Sequence, residues 1–406
     1  MPASPFSPFT IGPLTIKNRF IKTATNEGMA RNGGVPSKML ARFHERIAAG
    51  GIGMTTVAYC AVSTDGKTFV DQVELNRESV PHLRALTDAV HKHGAAASAQ
   101  ITHGGCFTFL PQVSTGRPLS ASGGFNKVGV LSGRWLRRGM NRDDMTMIAD
   151  QFVAGAKLAR QAGFDAVEIH VGHGYLLSQF VSPLYNKRRD DYGRTPEGRA
   201  KYPAEVLARV LEAVGKEMAV VVKFSTTDGH PAGNTAEDMA RIAKVLEREG
   251  AHLMVLSAGM NVESVSTMFG CPLPAASRGT PSNPVVAIGM MIQRLTEPKS
   301  VFREMYLRDH SKVIRAAVKT PLAYLGGVKS LANAETLLAD GFDLLALGRV
   351  LIYDPDFVNN LQSGAVTQSG CTSCNQCVTM MYSPGGTSCV LKEPGDPVAI
   401  LQGAAA

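Results

Sequence analysis

The chain has 406 residues, too many for one small domain and suited to one large α/β barrel or to two modest domains. With 44% hydrophobic and 19% charged residues it can bury a large core, which excludes disorder over most of its length. Its 42 Lys and Arg against 34 Asp and Glu give a net charge of +8, but the basic residues are scattered: no nucleic-acid partner is expected, and a phosphate-bearing small ligand fits the balance better.

No apolar run approaches the roughly 18 residues that span a membrane. Residues 1–8 lack the basic-then-apolar order of a signal peptide. A soluble, cytoplasmic protein with no membrane partner is the expectation.

In chain order, a short strand is expected at residues 20–24. A repeat of helix, glycine and strand then sets in. Gly50 precedes a strand at 52–58, and Gly94 one at 95–101. Before Gly163, Met145, Ile148, Phe152, Ala156 and Ala159 mark one helical face, and a strand follows at 164–169. A looser copy leads into 218–224. Gly250 precedes 252–257, a second loose copy leads into 321–325, and Gly341 precedes 342–347. A glycine just past a helix tolerates the left-handed backbone that ends it. Eight strands, seven of them preceded by a helix, predict a parallel (β/α)8 TIM barrel over residues 1–360, with a C-terminal cysteine-rich extension at 361–406. The competing open doubly wound sheet would usually carry a glycine-rich dinucleotide loop after its first strand, and none is present.

Such barrels place their sites at the C-terminal strand ends. Here those ends read Ala24-Thr25-Asn26, Tyr59-Cys60, Gln100, His170 to His173, Lys223, Ser257, Gly326-Gly327 and Gly348-Arg349. Long excursions at 102–140 and 258–312, the second containing Pro272, Pro274, Pro281 and Pro284, are expected to form lids or binding elements that set substrate choice. From about residue 350 the chain is expected to leave the barrel.

The densest chemistry follows strand four. His170 and His173 can donate hydrogen bonds to a carbonyl oxygen and polarise it, and the Tyr175 phenol can give a proton to a developing carbanion. A paired-histidine metal site is the competing reading. It is disfavoured because no carboxylate or third histidine occupies the neighbouring strand ends.

The run His170-Val-Gly-His173-Gly-Tyr175-Leu-Leu-Ser-Gln-Phe180-Val-Ser-Pro183, with Asn186, Arg188, Asp190 and Tyr192-Gly193 after it, resembles the signature of the Old Yellow Enzyme flavin oxidoreductases. The likeness extends to Asn18-Arg19, Gln100, Gly326-Gly327 and Gly348-Arg349, and so covers about residues 5–360. It implies FMN at the barrel mouth, NAD(P)H as hydride donor and a small activated alkene as acceptor. It further implies that His170 and His173 hold the substrate carbonyl, His170 also lying near the flavin, and that Tyr175 is the proton donor. Gln100 matches the amide on the flavin's polar edge, Gly326-Gly327 and Gly348-Arg349 match the phosphate loops, and Ala24, Thr25 and Tyr59 fall along the flavin. Cys60 either joins them or is plain packing.

Two positions depart from that pattern. Asn26 stands where the family usually has Thr or Cys, which puts the flavin potential in question. Lys223 stands where it usually has Arg, so the charge is kept and the planar fork is lost.

Cys371, Cys374, Cys377 and Cys389 form a C-x2-C-x2-C-x11-C cluster, four of the chain's seven cysteines. In a cytosolic chain such clustering favours a metal over disulfides. The tail is similar to those of 2,4-dienoyl-CoA reductase and trimethylamine dehydrogenase, which implies a [4Fe–4S] cluster, with zinc or unligated thiols as alternatives. Those relatives continue into a further nucleotide-binding region, whereas this sequence runs to Ala406. Transfer to a separate electron-carrier protein, a non-catalytic flavin sensor and a homo-oligomer stay open.

Overall fold

In a computed structural model describing residues 4–274 and 300–392, together with 288 and 291, eight parallel strands close into a barrel. They are β1 Phe20–Asn26, β2 Met54–Ala61, β3 Ala96–Thr102, β4 Ala166–Val171, β5 Ala219–Ser225, β6 Leu253–Ser257, β7 Leu322–Leu325 and β8 Leu344–Leu347. Each pairs with the next in sequence, and Leu345 opposite Phe20 closes the ring. The expected TIM barrel is the observed fold.

Helices α1 Lys38–Ala49, α2 Ser79–His91, α3 Arg142–Gln161, α4 Pro196–Val214, α5 Ala236–Arg248, α6 Arg308–Ala317 and α7 Leu331–Ala339 supply the seven expected crossovers. Ser37, Asn141, Thr195, Thr235 and Ser330 each accept a backbone N–H at a helix start, which satisfies a donor that the helix itself leaves unpaired. Asn141 with Asp144, and Thr235 with Asp238, form reciprocal capping boxes.

Alternation along the strands sorts the core into two layers. On β5, Ala219 and Val221 fill the lumen, while Val220, Val222 and Phe224 pack in the outer layer. Ala96, Ala166 and Ala219 all lie in the lumen. Four residues above each of them the same inward register carries Gln100, His170 and Lys223 to the mouth. Below, the hairpin Phe9–Ile11 and Leu14–Ile16 plugs the barrel with Ile11 and Ile16.

Three expectations change. Gly94, Gly163, Gly250 and Gly341 end their helices at φ 63°, 82°, 92° and 91°, but Gly50 does not: the left-handed residue there is Gly51, at 97°. Gly50 (φ −73°) is needed for close approach, because a Cβ on it would lie 1.8 Å from the Pro355 carbonyl oxygen. β1 also runs on past residue 24 to Asn26, since ladder hydrogen bonds do not require apolar side chains, and β2 runs on past 58 to Ala61, where Cys60 and Ala61 pair with Ile101 and Thr102 of β3 after a register shift. Finally, the chain beyond 350 does not leave the barrel. A helix at Phe357–Ser363 packs near α1, where Asn359 N–H donates to the Gly50 carbonyl, and the cysteine tail then folds back over the mouth.

The first excursion folds a small sheet from Leu119–Ser120, Gly124–Phe125 and Leu136–Gly139, and the second opens with a short helix, Val265–Phe269. Pro281, Pro284 and the end of the extension at 393–406 lie outside the described residues. No helix among the described residues is long and apolar enough to cross a membrane.

Candidate functional site

The strand ends enclose a cavity of about 1200 Å³, its open mouth included, with Ala24, Thr25, Asn26, Tyr59, Gln100, His170, His173, Tyr175 and Lys223 in its walls. An adjoining space of about 710 Å³ holds Gly326, Gly327, Gly348 and Arg349, and shares Ala24, Thr25, His173, Lys223 and Arg349 with the first. The two form one long cleft across the mouth, and of the residues singled out at the strand ends only Cys60 meets neither part. Ser257 lines the smaller part. Cys60 instead sits fully buried in the outer core layer, where burial pushes its thiol up to about 12. It is packing.

At the end of β4, Tyr175 stands with its ring 4.8 Å from that of His170 and 5.1 Å from that of Tyr59. Burial pushes the phenol up to about 12, while hydrogen bonds from Tyr59 and Asn261 oppose the shift. It is therefore a neutral donor throughout the physiological range. His170 Nε2 and His173 Nδ1 are 3.1 Å apart, and His173 Nε2 is 2.7 Å from Ser257 Oγ. The Gly172 N–H donates to His170 Nδ1, so His170 carries its proton on Nε2 and donates it to His173. Burial holds both imidazoles well below their usual value, with the Lys223 charge adding to it, and both are neutral. The two histidines are thus brought together as expected, but bonded to one another.

Lys223 is 2% exposed at the inward position of β5. Its ammonium donates to Thr23 Oγ1 at 2.9 Å and to the Ala24 carbonyl at 3.2 Å. An ammonium has three N–H groups, so one remains for a ligand in the cleft. Burial pulls its pKa down and the Glu168 carboxylate pulls it back up. Gln100 donates to that same carboxylate at 2.7 Å, which leaves its amide oxygen without a partner among the described residues. A buried donor and a buried acceptor with spare capacity fit the polar edge of a flavin. Asn26 is more committed than its position suggests: its oxygen accepts the Gly28 N–H at 3.1 Å, and its nitrogen faces Met381 Sδ at 3.5 Å.

Gly326 and Gly327 adopt φ 137° and 77°, and a Cβ on Gly327 would reach to 3.0 Å from the Met305 nitrogen. That is a cradle only glycine leaves open. Arg349 lines it and also ties down the tail, donating to the Phe269 carbonyl at 3.0 Å and to the Asn375 side chain. Asn375 in turn donates to the carbonyls of Cys271 and Pro272, both at 3.2 Å.

The cysteine loop is therefore pinned, but its sulfurs have not closed on a point. Cys371, Cys374 and Cys389 all lie near enough to raise the Cys377 thiol, which burial foremost pushes up to about 12. Yet among the described residues no three His, Cys, Asp or Glu side chains form a metal-holding group. Four neighbouring thiols remain a soft donor set of the right kind.

Several wall residues were not found from the sequence. Phe69, Phe107, Asn261, Met381 and Tyr382 all line the larger cavity. They come from loops and from the tail, where no periodicity marks an inward face.

Residues 4–272 match the model of the NADH:flavin oxidoreductase / NADH oxidase family. The chain is 38% identical over 400 residues to the 4,4'-dithiodibutanoate disulfide reductase of Rhodococcus erythropolis, covering 96% of this chain and 95% of that one. It is 31% identical over 375 residues to the NADH oxidase of Thermoanaerobacter brockii, covering 91% of this chain and 52% of the oxidase, and so spans about half of that relative. Among solved structures, a 2-naphthoyl-CoA reductase complex superposes with a TM-score of 0.79 at 23% identity, over 99% of this chain and 58% of the other. The old yellow enzyme homologue from Zymomonas mobilis superposes at 0.70 and 23% identity, over 92% and 96%. At that identity the structural likeness is one of fold.

Proposed function

The chain belongs to the NADH:flavin oxidoreductase / NADH oxidase family, and from that premise we propose that it is an FMN-dependent ene-reductase driven by NAD(P)H. The acceptor is an α,β-unsaturated carbonyl compound, reduced at its β-carbon. When bound, FMN would supply the two-electron step between the two substrates. Lys223, Gln100 and the β1 end would hold its ring, and Gly326, Gly327, Gly348 and Arg349 its phosphate.

The observation that carries the reading is Tyr175, a buried neutral phenol beside His170 in the cavity that Lys223 and Gln100 also line. Its O–H gives the proton to the substrate's α-carbon. His170 orients the substrate by donating its Nε2–H to the carbonyl oxygen in place of His173, and His173 donates beside it once its proton moves from Nε2, where it faces Ser257, to Nδ1. The apolar walls at Phe69 and Phe107 exclude water and strengthen these bonds.

A second reading rests on the disulfide reductase that aligns with nearly the whole chain. In it two electrons and two protons split the S–S bond of a small disulfide into two thiols, with Tyr175 again a proton source. Cys371, Cys374, Cys377 and Cys389 hold, in our reading, one soft metal centre, [4Fe–4S] by family resemblance or tetrahedral zinc.

Heat or acid denaturation should release FMN at near-stoichiometric yield; FAD, or no flavin after reconstitution, overturns the reading. Anaerobic mixing of the NAD(P)H-reduced protein with 2-cyclohexen-1-one, and separately with 4,4'-dithiodibutanoate, decides between alkene and disulfide. In the same anaerobic preparation about four iron and four sulfide per chain mark the cluster, while zinc without sulfide marks a structural site. Neither metal defeats the metal proposal.

A further inference from the structure

The cysteine tail does more than carry thiols: it is clasped onto the end of β1. The Thr387 N–H donates to the Glu27 carbonyl at 2.7 Å and the Thr387 hydroxyl to the Asn26 carbonyl at 3.0 Å. The Arg31 guanidinium donates to the Pro384 carbonyl. A Cβ on Gly28 would lie 2.1 Å from the Met381 carbonyl oxygen, and one on Gly386 would lie 2.5 Å from that of Glu27. These approaches close only with glycine at both places.

Between the two contact points sits Tyr382, half-buried in the wall of the larger cavity together with Tyr59 and Tyr175. The three phenols differ in their commitments. Tyr59 Oη bonds Thr68 Oγ1 at 2.6 Å, and Tyr175 is held by Tyr59 and Asn261. Tyr382 makes no hydrogen bond with any described residue. An unpaired donor in a cavity walled by Phe69 and Phe107 is worth most to a ligand that brings an acceptor.

We propose that Tyr382 is a substrate-positioning and specificity-determining residue, its O–H donating to an oxygen of the ligand held against Tyr175. The cysteine tail thereby selects oxygen-bearing substrates over hydrocarbons of the same shape. This assignment rests on the proposed function.

The test is calorimetric titration of the FMN-loaded full chain and its Tyr382→Phe variant with 2-cyclohexen-1-one, and with cyclohexene as the oxygen-free match. The variant should bind the ketone about fivefold more weakly, the worth of one neutral hydrogen bond, and cyclohexene unchanged. Thr387→Ala, which loosens the clasp, should weaken the ketone in the wild-type background and add nothing to Tyr382→Phe. Equal ketone affinity in both proteins, an equal loss for cyclohexene, or no ketone binding by the wild type overturns the assignment. Failure of the proposed function is read separately, in whether NAD(P)H bleaches the flavin of the unaltered protein.

Discussion

The end of β4 and the cysteine tail are the two stretches of this chain densest in reactive side chains, and the fold treats them differently. His170 lies within β4, which is bonded to β3 on one side and β5 on the other, and His173 and Tyr175 follow within five residues. Their rings stand 4.8 to 4.9 Å from that of His170. The described residues of the tail form no strand, only a short helix at Gln376–Thr379 that runs into a 3-10 turn at Met380–Tyr382, and its four thiols are neighbours among which no three form a metal-holding group. A site grown on a sheet ladder takes its geometry from the backbone. A site grown on a loop takes it from side-chain clasps, and completes it with the ligand that binds.

The sharpest cut between the two regions is at Tyr175. Tyr175→Phe should slow substrate reduction by a factor of about 10² to 10⁴ while flavin reduction by NAD(P)H barely changes, and stopped-flow measurement of the two half-reactions is the check. Unchanged oxidation of the reduced variant by an enone would mean that another group donates the proton.

At the tail the expected effect is local. Cys374 is exposed, so Cys374→Ser should reduce bound metal at least about tenfold while shifting barrel stability by no more than about 0.5 kcal/mol. FMN content and the melting curve check the second part. A barrel that unfolds with the metal would mean that the tail is part of the barrel's stability and not a separate site.

The smallest effect is in pH. Burial holds His170 and His173 well below 6.5, so what they contribute to stability is present above about 6.5 and is lost as pH falls below it. Tyr175, raised to about 12, contributes below about 10 and loses its part only between there and 12. Unfolding free energy should therefore fall as pH drops below about 6.5, where the unfolded chain takes up protons that the buried imidazoles do not. His173→Gln should flatten that slope, and denaturant titrations at pH 7.5, 6.5 and 5.5 measure it. An unchanged slope would place the acid sensitivity elsewhere, in Asp or Glu.

Much of the barrel and its mouth was legible in the residues themselves. Helix, glycine and strand recur with periods that the backbone geometry dictates, and alternation then assigns Gln100, His170 and Lys223 to the inside without any knowledge of contacts. Their chemistry is in the residue type, and their place is in the count from Ala96, Ala166 and Ala219. Other features follow no period. Gly50 is required by the Pro355 carbonyl, some 300 residues along the chain. The Asn26 amide turns to Met381, and Asn261 reaches Tyr175, because separate segments happen to pack there. The C-x2-C-x2-C spacing states which residues are soft donors, but not the distance between their sulfurs or that Tyr382 enters the cavity between two glycine contacts. Local order is set by neighbours in sequence, through backbone geometry and burial of one face. Contacts between distant loops depend on the shape of the whole closed barrel, and only the tertiary structure decides them.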